Sequence, residues 1–200
     1  LSREEIGSGL KEALNVASQT VVRQLGTTDG FNADDAIHIP LPKSLDTVKT
    51  ALSRVGMSTL FETLELKLNR AAEAATPRAG QLFADAISQM TLEDVQAIYN
   101  GPDDAATQYF KSKMSEPLAH EMKPVVESSL SEVGAVQAYD QMISEYKTLP
   151  FVPDVKANLT EHVIEKGLEG IFYYMAKEEA AIRKDPVKQT TALLQKVFGK

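Results

Sequence analysis

The 200-residue sequence contains no cysteine, which removes disulfides, thiolate metal sites and thiol nucleophiles at once. It also lacks long apolar runs, and no stretch reaches the ~18 apolar residues that a membrane-spanning helix needs. Positive charge is in deficit, with 21 Lys and Arg against 28 Asp and Glu, a formal net charge of -7 and no run of basic residues. A nucleic-acid backbone is therefore an unsuitable partner. Alternating strand patterns are missing, and Asp29-Gly30 lies in a turn without strand signals on either side. There is no nucleophile elbow, phosphate loop or dinucleotide fingerprint, so no cofactor is expected. His38, His120 and His162 are too dispersed for a zincin motif, and no metal site is expected.

What is present reads as helix after helix. Ser2 and Glu5 form a capping box before Ile6, Leu10, Leu14, Val21 and Leu25 at helical spacing, with Gly26 as the stop. A second helix spans about Ser44 to Val55 and stops at Gly56. The third spans about Ser58 to Ala75, where Thr76-Pro77 ends it and starts the next. Asn100-Gly101 closes a short helix, Pro102-Asp103-Asp104 caps another, Ser115-Glu116-Pro117 opens a further one with a kink at Pro124, and Gly134 breaks the run. The last pair run from about Asn158 to Lys184 and from Asp185-Pro186 to Phe198. The expectation is an all-α protein, a single compact bundle of about nine helices. It forms one domain over residues 1–200, with an N-terminal helix and connector (1–43) followed by a helical core (44–200).

Two connectors, Ile37 to Pro42 and Leu149 to Pro153, are apolar and proline-locked. Both are expected to pack across helix ends and close the core. If an apolar ligand binds, they are its gates. Gly7-Ser8-Gly9 inside the first helix reads as close helix packing.

The polar candidates follow from the stripes. Ile164, Leu168, Ile171, Phe172, Met175 and Ile182 share one helix face, and Glu179 falls in the middle of it. A carboxylate there needs a partner or a wet cavity, because an unpaired buried charge is costly. Arg183, four residues on, is the natural partner, with Arg70 as a cross-helix alternative and Glu178 at the stripe's margin able to share it. Leu66 lies opposite the apolar face of the third helix, beside Asn69 and Glu73. It predicts cover on both faces and partial burial of Asn69 or Glu73; the competing reading is a surface helix with a stray Leu. Asp103 and Asp104 read as caps, and the Asp29, Asn32, Asp34, Asp35 stretch as Asx-turns, since it does not fit a calcium loop. Tyr109 and the Phe172 to Tyr174 run read as core packing or as the wall of an apolar pocket, with Met90, Met114, Met142 and Met175 as adaptable lining.

Four segments, Asn69 to Glu73, Gly101 to Phe110, Ile39 to Pro42 and Arg183 to Thr191, resemble the bacterial DUF4197 family over nearly the whole chain. That resemblance implies an exported protein, periplasmic or tethered to a membrane through a removed N-terminal segment, and supplies no activity. It fits a chain that begins at Leu1 rather than Met. The functional expectation is a non-enzymatic binding module whose partner is a lipid, another apolar small molecule or an envelope protein. The alternatives are a hydrolase with Glu179 or a neighbouring carboxylate as general acid or base and Asn69, Arg70 or Tyr109 orienting the substrate, and a purely structural envelope protein.

Overall fold

A computed structural model describes residues 1–199. Among them lie eight α-helices, two single 3-10 turns and no strand, so the chain is all-α as its periodicity indicates. The helices are α1 (Arg3–Leu25), α2 (Asp46–Arg54), α3 (Ser58–Gln89), α4 (Val95–Asn100), α5 (Ala105–Glu132), α6 (Ala135–Lys147), α7 (Leu159–Lys184) and α8 (Ala192–Phe198).

Two expected breaks are absent. α3 runs through Pro77, and α5 runs through Pro117 and Pro124. A proline inside a helix deletes one backbone bond and crowds the carbonyl four residues back. All three rings sit on exposed faces, where water can take the freed carbonyl, while Ala75, Ala79, Leu118, Met122 and Val126 on the opposite faces are buried. Burial of the apolar stripe outweighs the local breaker. The predicted stop at Gly56 does occur. With φ of +74°, Gly56 lets the Met57 N–H reach the Leu52 carbonyl (2.9 Å) and its own N–H reach that of Ser53 (3.3 Å), the Schellman pattern.

The chain packs as two units interleaved in sequence. The first comprises Leu1–Gln24, Pro77–Glu121 and Leu168–Lys200; the second comprises Leu25–Thr76 and Met122–Gly167. Three of the four divisions fall beside helix-weakening residues: at Pro77 in α3, close to Pro124 in α5 and at Gly167 in α7.

The first unit is centred on Phe83, Phe110 and Phe172, whose ring centroids lie 5.8–6.1 Å apart in tilted and edge-on contacts. α8 lies against α1 where Gly9 leaves room. A Cβ on Gly9 would stand 2.5 Å from a Val197 methyl, so this glycine is the close helix contact expected of it. Met90 and Met175 are buried in this unit. The second unit buries Phe31, Leu45, Leu52, Leu64, Met142 and Tyr146.

Candidate functional site

Glu179 is fully buried, and both carboxylate oxygens are committed. One accepts from the Thr107 N–H (2.6 Å) and hydroxyl (2.7 Å); the other accepts from the Ala106 N–H (3.0 Å) and from Arg183 Nε (2.9 Å) and Nη2 (2.8 Å). Ala106 and Thr107 belong to the first turn of α5, whose N–H groups have no intrahelical acceptor. Arg183 in turn donates to the carbonyls of Ile98 (3.2 Å) and Tyr99 (2.9 Å), at the C-terminal end of α4. Phe198 covers the guanidinium at 5.5 Å. The ion pair thus caps two helix ends at once, negative at the N-terminus of α5 and positive at the C-terminus of α4, the favourable sense for both helix dipoles.

This changes the reading of the Gly101–Asp104 turn. The N–H groups assigned from sequence to Asp103 and Asp104 are held by Glu179 instead. Asp104 accepts from the Gln108 side chain (3.1 Å), and Asp103 pairs with Lys184. Thr107 is the residue that sequence reasoning missed.

The second unit repeats the device. Glu73, nearly buried, accepts from the successive N–H groups of Phe31 (3.2 Å) and Asn32 (2.9 Å), and its other oxygen pairs with Arg70 Nη1 (2.8 Å). Arg70 also binds Asp29 (2.8 Å), so it is not the partner of Glu179. Glu73 foremost, and then Asp29, raise the Arg70 pKa above its ordinary value; Arg70 foremost, then Asn32, lower that of Asp29. Asn69, also buried, clamps the Ile37–Pro42 connector in both directions: its Oδ1 accepts from the Ile39 N–H (2.8 Å) and its Nδ2 donates to the Ile39 carbonyl (2.9 Å).

Cover on both faces of α3 is therefore real where Asn69 and Glu73 stand, while Leu66 itself remains 36% exposed. The cover is the 29–41 loop, held by an Asx-turn from Asp34 to the Ala36 N–H (2.9 Å), as the acidic stretch suggested. Two histidines support the same connector. His38 bridges the Asn32 carbonyl (2.8 Å) and Glu65 (3.0 Å), and the half-buried His162, which reads from sequence as a surface residue, reaches the Pro40 carbonyl (2.6 Å).

Tyr109 takes part in none of these bonds. Its hydroxyl donates to the Thr91 carbonyl (2.9 Å) and accepts from the Glu93 N–H (3.2 Å), tying down the 90–94 link. Glu178 does not join Glu179 in sharing Arg183; it faces a separate cleft.

The second apolar connector departs from expectation. Leu149–Pro153 borders a groove of about 550 Å³ with α2, lined on the helix side by Asp46, Thr47, Ala51, Arg54 and Val55. Phe151 is not packed: it is 104% exposed, and its φ is +59°. Pro150 followed by a positive φ is the order of a type II turn, whose third position takes Gly or Asn because a side chain is strained there. Phe occupies the place of glycine, with its ring in solvent. Val55, on the rim, is also exposed.

Over residues 1–199 the sequence matches the family model described as "Protein of unknown function (DUF4197)". No curated protein and no solved structure matches the chain.

Proposed function

Because the chain belongs to the DUF4197 family, whose description names no activity, we propose from its geometry that it is a non-enzymatic binding module for an amphiphile with an anionic head. Phe151 carries the reading. A fully exposed aromatic held at positive φ adds nothing to the fold and costs backbone strain, of the order of 1–2 kcal/mol for a non-glycine residue. Such strain is stored where a surface is used. The adjoining groove offers Ala51, Val55, Leu149 and Val152 to an alkyl chain, and the exposed Arg54 stands at its rim for an anionic head. An exported, periplasmic setting brings the protein to such molecules.

Acid–base chemistry at Glu179 finds no support in the same geometry. The carboxylate is sealed from solvent, and its oxygens are occupied by two amides, a hydroxyl and a guanidinium. The polar core serves to join helix ends.

Titration with oleate, and with methyl oleate as the uncharged control, tests the proposal. Saturable oleate binding is expected, weakened by about tenfold in Arg54→Gln and for the methyl ester, the effect of losing one charge-assisted contact. A protein that takes up no oleate, or that binds the ester and the acid alike, would overturn it.

A further inference from the structure

A cleft of about 610 Å³ lies within the first unit, bounded by α1, α7 and the turn before α8. Its volume is in the range of small-molecule sites. One wall is a single face of α1, where Glu12, Asn15, Gln19 and Arg23 follow at helical spacing; Glu178 and Lys188 stand on the others. Among the described residues these six side chains make no hydrogen bond or ion pair, although Glu12, Asn15 and Glu178 are half-buried. Elsewhere in this unit Glu5 pairs with Lys196 at 3.1 Å and Glu179 with Arg183 at 2.8 Å.

Two carboxylates and two cations thus face one cleft without neutralising each other. The space between them suits a ligand that carries both signs. We propose that this cleft binds a zwitterion the size of an amino acid or short peptide, its ammonium group on Glu12 and Glu178 and its carboxylate on Arg23 and Lys188. Asn15 and Gln19, each both donor and acceptor, hold the amide or side-chain polar groups in the middle. The lining argues against other classes. Glu12 and Glu178 repel a phosphate, Arg23 and Lys188 repel a metal ion, and Val16 and Ile182 are the only aliphatic residues available to an alkyl chain. Half-burial of the two glutamates places their charges where screening is weaker than at the open surface, which strengthens pairing with an ammonium group.

The site is independent of the Phe151 surface, and its test is separate. The full chain, labelled with nitrogen-15, is titrated with each proteinogenic amino acid and with trialanine to about 10 mM, a range that reaches millimolar affinities. At least one probe is expected to give saturable amide shifts along the Glu12–Arg23 face and at Thr190 and Thr191. Its N-acetylated form, and the variants Glu178→Gln and Arg23→Gln, should each weaken binding by about tenfold or more, the loss of one charge-assisted contact. Unchanged amide positions far from the cleft would show that the variants are folded. No saturable shift with any probe, or affinities untouched by acetylation and by both substitutions, would overturn the assignment.

Discussion

The two apolar connectors have nearly the same composition and opposite fates. In Ile37–Pro42 the three aliphatic side chains are buried, and the backbone between them is bonded to Asn69, Glu65 and His162. In Leu149–Pro153 the anchors lie at the ends: the Leu149 N–H donates to the Tyr146 carbonyl (3.1 Å), and the Tyr146 hydroxyl donates to the Pro153 carbonyl (2.7 Å). Its tip, Pro150 and Phe151, stands in solvent. Apolar residues and prolines alone do not decide whether a segment joins the core. The difference lies in polar groups on neighbouring helices that can bond its backbone, because a buried peptide group without a partner is costly.

The largest effects are expected where the interior depends on polar groups. Glu179→Ala should cost about 3–5 kcal/mol in chemical denaturation, since it strands the Arg183 guanidinium and two helix-end amides in a buried site. Within the buried connector, Ile39→Ala should lower stability by about 2–4 kcal/mol, as a cavity-forming change in a fully buried residue does. Asn69→Ala should lose about 2–3 kcal/mol, because it leaves the Ile39 N–H and carbonyl unpaired. If Asn69→Ala proved neutral, the contrast between anchored and free connectors would collapse.

A smaller effect is expected from pH. Asp29 has a lowered pKa, so its contribution is fully present above the ordinary Asp value of 3.8 and fades as pH falls through the lowered one. Acid titration followed at the Asn32 side-chain amide, which donates to Asp29 (3.1 Å), should show that contact loosening as pH falls through the lowered value. Asp29→Asn should remove this titration step.

Much of this was readable from residue spacing, and the remainder was not for identifiable reasons. The Glu179–Arg183 pair follows from an acid set in an apolar stripe with a base four residues on. Its other partners, Ala106 and Thr107, lie more than 70 positions away, and no local pattern reports which helix end a side chain will meet. Asp103 and Asp104 carried the local cap signal, yet a distant carboxylate holds those amides. At Pro77 and Pro117 the local breaker signal was genuine, but each ring sits on a solvent face and packing of the other face prevailed. Leu66 points to partial burial of Asn69 or Glu73, yet it is itself exposed and both of them are buried; the loop that buries them forms only with the fold. The Phe151 turn left one signal unread, an aromatic directly after proline in a place suited to glycine.

Phe151→Gly, measured side by side for unfolding free energy and for oleate affinity, separates a strained binding surface from an ordinary exposed turn. Glycine relieves the positive φ, so the variant should gain about 1 kcal/mol of stability. It should also lose about 10–100-fold in affinity, the value of burying one Phe side chain. A variant that loses stability, or that binds oleate as tightly as the parent, would show that Phe151 is not a strained ligand-binding residue.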